Sequence, residues 1–337
     1  MPVLYLTTPG ARASLVSERL RVEFPANDTT ADAPPTRDVP LHDVEHVVVD
    51  TRAHVTMAAL AECARRAIPV VLVEGTARIV ALCQPPAPHL ALRCAHYERM
   101  RDPNWAVAFA ATLVEAKIAN GRRVLQRLAA NRGVEPPAHA LAVLDHARGA
   151  ALDATSLDTL RGHEGAAAGA YFEALAPFFP INAPFERRSR RPPHNAANAL
   201  LSYAYSLLTG ETAAALHASG LDPALGFLHE PDDGRPSLAL DLVEPLRAPL
   251  ADALAIDLLS HAVLQPKEHF VAREGGVFLS TDGRRKFFVV YERKLERPFT
   301  SERTGERTTL RQEIRRQMLS LKAAIRSGEA FEPFLMN

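Results

Sequence analysis

Apolar residues fall along the first ~85 positions in short runs broken by turn residues, a pattern that predicts strands. Val3–Leu6, Leu20–Phe24, Val44–Val49, Val70–Val73 and Ile79–Leu82 are the expected strands. Between them, Met57–Ala67 combines helical spacing with good helix formers and predicts a helix over one face of the sheet. Pro25–Pro40, rich in Asp, Thr and Pro, reads as a mobile loop. The Pro-containing stretch Gln84–Pro88 marks a change of character, because from about Leu90 onward the apolar spacing is helical. The clearest helix covers 104–132, where Val107, Ala111, Val114 and Ile118 recur at three- and four-residue intervals and Lys117, Arg123 and Arg127 lie on other faces. Further helices are expected at 138–149, 154–177, 195–218, 237–262 and 309–327, with a short hairpin in Gly275–Val290. The reading is an α+β chain: a β-rich domain over 1–85, a linker over 86–90 and a larger helical domain over 91–337.

Composition narrows the class. Of 337 residues, 47% are hydrophobic and 23% charged, the profile of a chain that buries a real core. A length of this order favours about two domains. Three cysteines, Cys63, Cys83 and Cys94, make no CxxC pair and point to a reducing cytoplasm rather than a disulfide framework or a zinc site. Neither a signal peptide nor a membrane span is expected. The formal net charge is zero, but its distribution is uneven. Residues 1–85 are slightly acidic, whereas Arg284 to Arg326 is strongly basic and Arg187, Arg188, Arg190 and Arg191 form a second cluster. Such asymmetry suits a face that tracks phosphates, with Arg284, Arg285 and Lys286 as further candidates; a solvated basic surface is the plainer explanation for any one of them.

Three segments carry the polar groups of interest. In Leu160-Arg-Gly-His-Glu-Gly, Glu164 sits among small residues that leave room for a phosphate or a metal. Gly220-Leu-Asp-Pro-Ala-Leu-Gly-Phe-Leu-His229 ends an apolar run on a histidine. Ser237-Leu-Ala-Leu-Asp-Leu-Val-Glu-Pro-Leu-Arg247 places Asp241 and Glu244 three apart on one helix face, beside leucines that bury the turn. Taken singly, an exposed helix glutamate and a core or surface histidine are the better explanations of the first two. Buried carboxylates are expensive unless paired or bound to a cation, which makes the third segment the more telling. Pro245 predicts a kink between Asp241 and Glu244, or else a helix that starts there with Asp241 as its N-cap. Oxygen donors with one imidazole suit Mg²⁺ or Mn²⁺, and no GxxxxGK[ST] cradle implies ATP.

These segments, together with Lys117-Ile-Ala-Asn-Gly-Arg-Arg-Val-Leu-Gln-Arg127 and Asn198-Ala-Leu-Leu-Ser-Tyr-Ala-Tyr-Ser-Leu-Leu208, occur in an order that resembles the CRISPR-associated Cas-one family, the integrases that insert spacers into a CRISPR array. The resemblance implies a β-sandwich-like N-terminal domain that forms a homodimer, followed by an all-α catalytic domain. Its metal ligands match Glu164, His229 and Glu244, with Asp241 alongside, and Asn198 and Tyr205 match positions of a helix flanking the site. It further implies DNA as substrate, a Mg²⁺- or Mn²⁺-dependent attack of a 3′-OH on a phosphodiester of the repeat, associated endonuclease activity, and two such dimers flanking a dimer of the Cas-two protein. A stand-alone metal nuclease of branched DNA would use the same ligands, whereas a non-catalytic DNA-binding scaffold would leave the buried carboxylates without a reason.

Overall fold

In the computed structural model the described residues are 3–25, 36–74, 78–83, 89–190 and 192–336. They group into two compact units, one formed by residues 1–94 and 210–222, the other by 95–209 and 223–337.

The first unit holds β1 (Leu4–Leu6), β2 (Arg12–Val16), β3 (Arg19–Glu23), β4 (Thr36–Pro40), β5 (Val47–Asp50), β6 (His54–Val55), α1 (Met57–Arg65), β7 (Val70–Glu74) and β8 (Arg78–Cys83). Two four-stranded sheets result, in the orders β1-β5-β7-β8 and β4-β3-β2-β6. In the first, β1, β5 and β7 run parallel and β8 antiparallel; in the second, β2, β3 and β4 are antiparallel. Leu6, Val47, Val49 and Val70 of one sheet share a core with Ala13, Leu20 and Val22 of the other and with Ala59 and Cys63 of α1, so the unit is sandwich-like. The other face of the first sheet is buried as well, Val48, Val71 and Val73 meeting Ala214. Burial on both faces explains why β5 and β7 read as unbroken valine runs. Thr56 caps α1 by accepting from the Ala59 N–H.

Two expectations need correction here. Residues 36–40 of the expected loop form β4, while 26–35 lie outside the described residues. Thr36-Arg-Asp-Val-Pro40 lacks an apolar run because it is an edge strand, half solvated and held by its ladder to β3, and Pro40 is tolerated at its end. The expected linker falls partly at 84–88, also outside the described residues, and Leu90 already begins a helix.

That helix is α2 (Leu90–Met100), followed by α3 (Pro103–Arg132), α4 (Ala138–Leu152), α5 (Leu157–Leu175), α6 (Ala196–Ala218), α7 (Ser237–Leu246), α8 (Ala253–Ser260), α9 (Pro266–His269), β9 (Phe270–Arg273), β10 (Gly276–Leu279), α10 (Thr281–Glu296), β11 (Phe299–Thr300), β12 (Arg307–Thr308) and α11 (Leu310–Ser327). The spine of the second unit is α3, a 30-residue helix against which α4, α5 and α7 pack. Its ends are well specified: Asp102 accepts from the N–H groups of Asn104 and Trp105, Pro103 occupies the first turn, and Gly133 closes it in the left-handed conformation. The expected hairpin lies earlier than the sequence suggests, at Phe270–Leu279, and Thr281–Glu296 is helical. The β-favouring run Phe287-Phe-Val-Val290 is overridden by tertiary packing, since Phe287, Tyr291 and Leu295 at four-residue spacing make one buried stripe. These hairpins also mean that the unit is helical with small β elements rather than purely α.

The expected helix 237–262 is interrupted. Its middle, Arg247–Asp252, is a π-helical turn between α7 and α8. Two prolines account for this. Pro245 offers no N–H to the Asp241 carbonyl, and Pro249 offers none to the Pro245 carbonyl, so the i to i+4 ladder fails twice within a turn and a half. The helix starts at Ser237, which removes the N-cap alternative for Asp241.

Candidate functional site

Three helices of the second unit bring charged side chains to one place. Lys117 projects from α3, Glu164 from α5 and Glu244 from α7, and the Lys117 ammonium bridges the two carboxylates, hydrogen-bonded to Glu164 Oε1 and 2.6 Å from Glu244 Oε2. The other oxygen of Glu244 lies 3.0 Å from Arg247 Nη1. Glu244 is only 2% exposed, so a charge there must be compensated. Burial opposes its ionisation, but the Arg247 guanidinium, the Lys117 ammonium and His229 together outweigh it and hold the carboxyl down at about 2. Lys117 is the mirror case: burial disfavours its charge, and Glu244 and Glu164 raise its pKa above the usual lysine value.

His229 reaches this cluster from the loop before α7, and Asp241 holds it there. Asp241, 0% exposed, receives the N–H groups of Phe227 at 2.6 Å and Leu228 at 3.1 Å on one oxygen. The other oxygen receives the His229 N–H at 2.9 Å and His229 Nδ1 at 2.7 Å. With both backbone and side-chain donors converging on Asp241, Nδ1 is the ring nitrogen that donates to it, and Nε2 is the one left on the side of Glu244. Nε2 lies 3.8 Å from Glu244 Oε1, too far for a hydrogen bond. The loop closes this tightly because residue 226 is glycine; a Cβ there would stand 2.6 Å from the His229 carbonyl oxygen.

Beside the ion cluster, Asp252 is buried between two phenols. Tyr171 donates to one oxygen at 2.8 Å and Tyr205 to the other at 2.5 Å. Burial drives the Asp252 carboxyl up to about 6 despite those two hydrogen bonds, and burial beside Asp252 pushes both tyrosines well above the ordinary phenol range. Gly121 of α3 lets the Tyr171 ring approach, since a Cβ would be 3.2 Å from it. The guanidinium carbons of Arg247 and Arg188 sit 4.9 and 5.3 Å from the Tyr205 ring centre. Lys117, Glu164, Tyr171, Tyr205, Glu244 and Asp252 line one cavity with Ala167, Ala168 and Phe172.

A sequence profile of the family described as CRISPR associated protein Cas1 matches residues 4–293. The chain belongs to the Cas1 family. Among curated relatives, the CRISPR-associated endonuclease Cas1 2 of Rhodospirillum rubrum is 38% identical over 297 residues, covering 84% of this chain and 83% of its own. Among solved structures, a casposase bound to integration product superposes with a TM-score of 0.81 at 24% identity, over 99% of this chain and 93% of that one. A Cas6-RT-Cas1–Cas2 complex gives 0.79 at 23%, over all of this chain and 36% of the other. At such identities these two likenesses establish the fold.

Within this Cas1-family chain, Glu164, His229, Asp241 and Glu244 are thus drawn together, although among the described residues no three His, Cys, Asp or Glu side chains converge closely enough to enclose a metal ion as they stand. Cationic Lys117 lies between the two glutamates instead. Two carboxylates and an imidazole nitrogen 3.8 Å from one of them nonetheless form a donor set suited to a hard divalent cation. The arginines fare differently. Arg188 is committed to Asn198 Oδ1 at 2.9 Å, Ser202 Oγ at 3.1 Å and the Tyr205 ring, while Asn198 in turn accepts from the Ser189 N–H and donates to the Arg187 carbonyl. Arg187, Arg190 and Arg285 are exposed and Arg284 is half-buried. Lys286 lies 2.7 Å from His269 Nε2, and Arg191 lies outside the described residues. Lys117, Arg247, Tyr171 and Asp252 were missed as site residues. Lys117 stood in the segment Lys117–Arg127 but off the apolar stripe, where a solvated lysine is the ordinary outcome, and Asp252 carried no signal, its role depending on the π turn.

Proposed function

We propose that this chain is a CRISPR adaptation integrase that inserts DNA into the array by metal-dependent strand transfer, with Glu164, His229 and Glu244 as the ligands of Mg²⁺ or Mn²⁺. The observation that carries the reading is the convergence of the two glutamates on a single cationic group, Lys117, with His229 Nε2 facing Glu244. Such a pair of carboxylates is a place where positive charge is stabilised away from water, which a bound divalent ion exploits to polarise a phosphoryl oxygen and stabilise an attacking or leaving oxygen.

Asp241 holds the tautomer and orientation of His229. Lys117, once displaced from the carboxylates, is a cation free to meet a phosphate, and Arg247 and Arg188 maintain positive potential across the Tyr205 side of the cavity. Asp252 fixes the phenols of Tyr171 and Tyr205 against the wall a sugar-phosphate backbone would follow. Exposed Arg187, Arg190 and Arg285 serve non-specific phosphate contact. Beyond the single chain, the reading includes a homodimer formed through the β-rich unit, two such dimers around a Cas2 dimer, and action in the cytoplasm. Its support is the Cas2-containing complex and the casposase bound to integration product, which share the fold. Among the described residues no helix is long and apolar enough to cross a membrane, and Cys63, Cys83 and Cys94 are free.

The test is strand transfer of a labelled duplex into a supercoiled plasmid carrying the array, with the Cas2 partner, in Mg²⁺, Mn²⁺ or EDTA. Joined product in metal and none in EDTA or with Glu164→Ala is expected. Nicking without joining would favour a stand-alone nuclease, and joining in EDTA would refute the metal reading.

A further inference from the structure

The turn that carries Glu244 has backbone groups its own helix cannot satisfy. The α-helical partner of the Pro245 carbonyl would be the N–H of residue 249, which is proline. That carbonyl instead receives Asn120 Nδ2 at 2.6 Å, and the Leu242 carbonyl receives Gln317 Nε2 at 2.7 Å. Asn120 and Gln317 are each 1% exposed. Both side chains use their remaining capacity on the same short segment, Phe334–Met336. Asn120 Nδ2 also donates to the Phe334 carbonyl at 2.9 Å, Asn120 Oδ1 accepts from the Met336 N–H at 2.7 Å, and Gln317 Oε1 accepts from the Phe334 N–H at 2.9 Å.

Each carboxamide is therefore an adaptor between one irregular stretch of chain and one of the two carbonyls that bracket Glu244. A carboxamide cannot satisfy both sides if either strand shifts by more than a few tenths of an ångström, because hydrogen bonds fall off steeply with distance and angle. The segment is itself anchored: the Phe334 side chain is buried, Glu332 receives Arg303 at 2.7 Å, and the Phe331 ring lies 4.6 Å from that of Phe109. Asn120 stands one turn beyond Lys117 on α3, so the adaptor joins the two helices that supply the ion cluster. Leu238, Leu242, Val243 and Leu246 already supply the apolar packing of α7, so what the two carboxamides add is directional: each fixes a carbonyl next to Glu244 against the same distant segment.

We propose that Asn120, Gln317 and the segment Phe334–Met336 form a positioning clamp that sets the direction of Glu244 at the cation site, so that the affinity of the site for a divalent ion depends on a segment lying outside it. The inference rests on the assignment of Glu244 as a ligand made above.

The experiment measures Mn²⁺ binding by electron paramagnetic resonance, with thermal unfolding of each protein in EDTA alongside. The set is full-chain wild type, Gln317→Met, Asn120→Leu, a chain stopped after Pro333, and Glu244→Gln as reference. Gln317→Met keeps the volume and removes both bonds, which makes it the variant least liable to misfold. The expected result is Mn²⁺ affinity about ten- to hundredfold weaker in the clamp variants, the range typical when an outer partner of a ligand is lost, with a cooperative unfolding transition retained. If Glu244→Gln loses Mn²⁺ while Gln317→Met and the shortened chain bind it as wild type does, whatever their melting temperatures, the clamp is merely structural and the proposal fails, leaving the site assignment standing. If Glu244→Gln itself binds Mn²⁺ normally, both fall.

Discussion

Replacing Asp241 by Asn removes a charge and almost no volume, yet the structure predicts a large effect. The carboxylate serves two N–H groups on each oxygen: those of Phe227 and Leu228 on one, and the amide and Nδ1 of His229 on the other. A carboxamide has a single oxygen. Whichever way it turns, its NH₂ faces two donors, and two groups that were paired inside the protein lose their acceptor. Each such loss costs about 1–3 kcal/mol, so the loop 227–229 should be destabilised by about 2–6 kcal/mol. Amide hydrogen exchange reads local opening directly and does not require the chain to unfold in two states. Exchange at Phe227, Leu228 and His229 should accelerate by at least about thirtyfold, the factor equivalent to 2 kcal/mol, while amides of α10 keep wild-type rates. Mn²⁺ affinity should fall in parallel because His229 loses its fixed tautomer. Unchanged exchange at these three amides would refute the reasoning, since it would mean that Asp241 neither shapes the loop nor orients the imidazole.

Three further outcomes follow from the same geometry. A carboxyl held at about 6 in the folded protein, against 3.8 as its ordinary value, binds its proton more tightly when folded; the stability it contributes is complete below pH 3.8 and lost as pH rises through about 6. Asp252→Asn should abolish that component, about 2 kcal/mol, of the stability change between pH 4 and 6, and identical pH profiles for variant and wild type would contradict the burial argument. Lys117→Met leaves Glu164 and Glu244 without their shared ammonium, so Mn²⁺ affinity measured calorimetrically should rise by about tenfold or more while thermal stability in EDTA drops; weaker Mn²⁺ binding would show that Lys117 assists rather than competes with the cation. Charge reversal of exposed Arg187, Arg190 and Arg285 should weaken duplex binding and flatten its dependence on salt, whereas Arg188→Gln should lower stability first, and an unaltered salt slope in the triple variant would place the footprint elsewhere.

How much of this was legible in the sequence depends on whether the deciding forces are local. The periodicity of α3 and its caps at Asp102 and Gly133 are written in neighbouring residues, and α3 appears within a residue or two of the predicted bounds. The valine runs of β5 and β7 announced strands, and the structure buries them on both faces. What failed was whatever a distant partner decides. Arg12-Ala-Ser-Leu-Val16 becomes β2 only because β3 and β6 flank it, and Phe287-Phe-Val-Val290 is helical because Tyr203 receives Phe287 edge-on. At the site, Glu164, His229, Asp241 and Glu244 were singled out through residue type and resemblance, with Asp241 set beside the ligands rather than among them, but what Asp241 holds was not visible. Asp241 proved to hold the loop and His229, and Glu244 to face the ions, because α7 starts at Ser237. The two prolines, four residues apart, were a legible sign of orphaned carbonyls; that Asn120 would supply the donor missing at Pro245, and Gln317 bond Leu242 beside it, was not, since both lie more than 70 residues away in sequence.

The account stands on Glu164, His229 and Glu244 acting as one cation site. Titration of the full chain with Mn²⁺ under electron paramagnetic resonance, for wild type and for Glu164→Ala, His229→Ala and Glu244→Ala, tests that most directly, and circular dichroism confirms that each variant is folded. One Mn²⁺ per chain in wild type and loss of that binding in each folded variant is the predicted result. A variant that retains wild-type Mn²⁺ affinity would remove its residue from the site, and retention by all three would contradict the account.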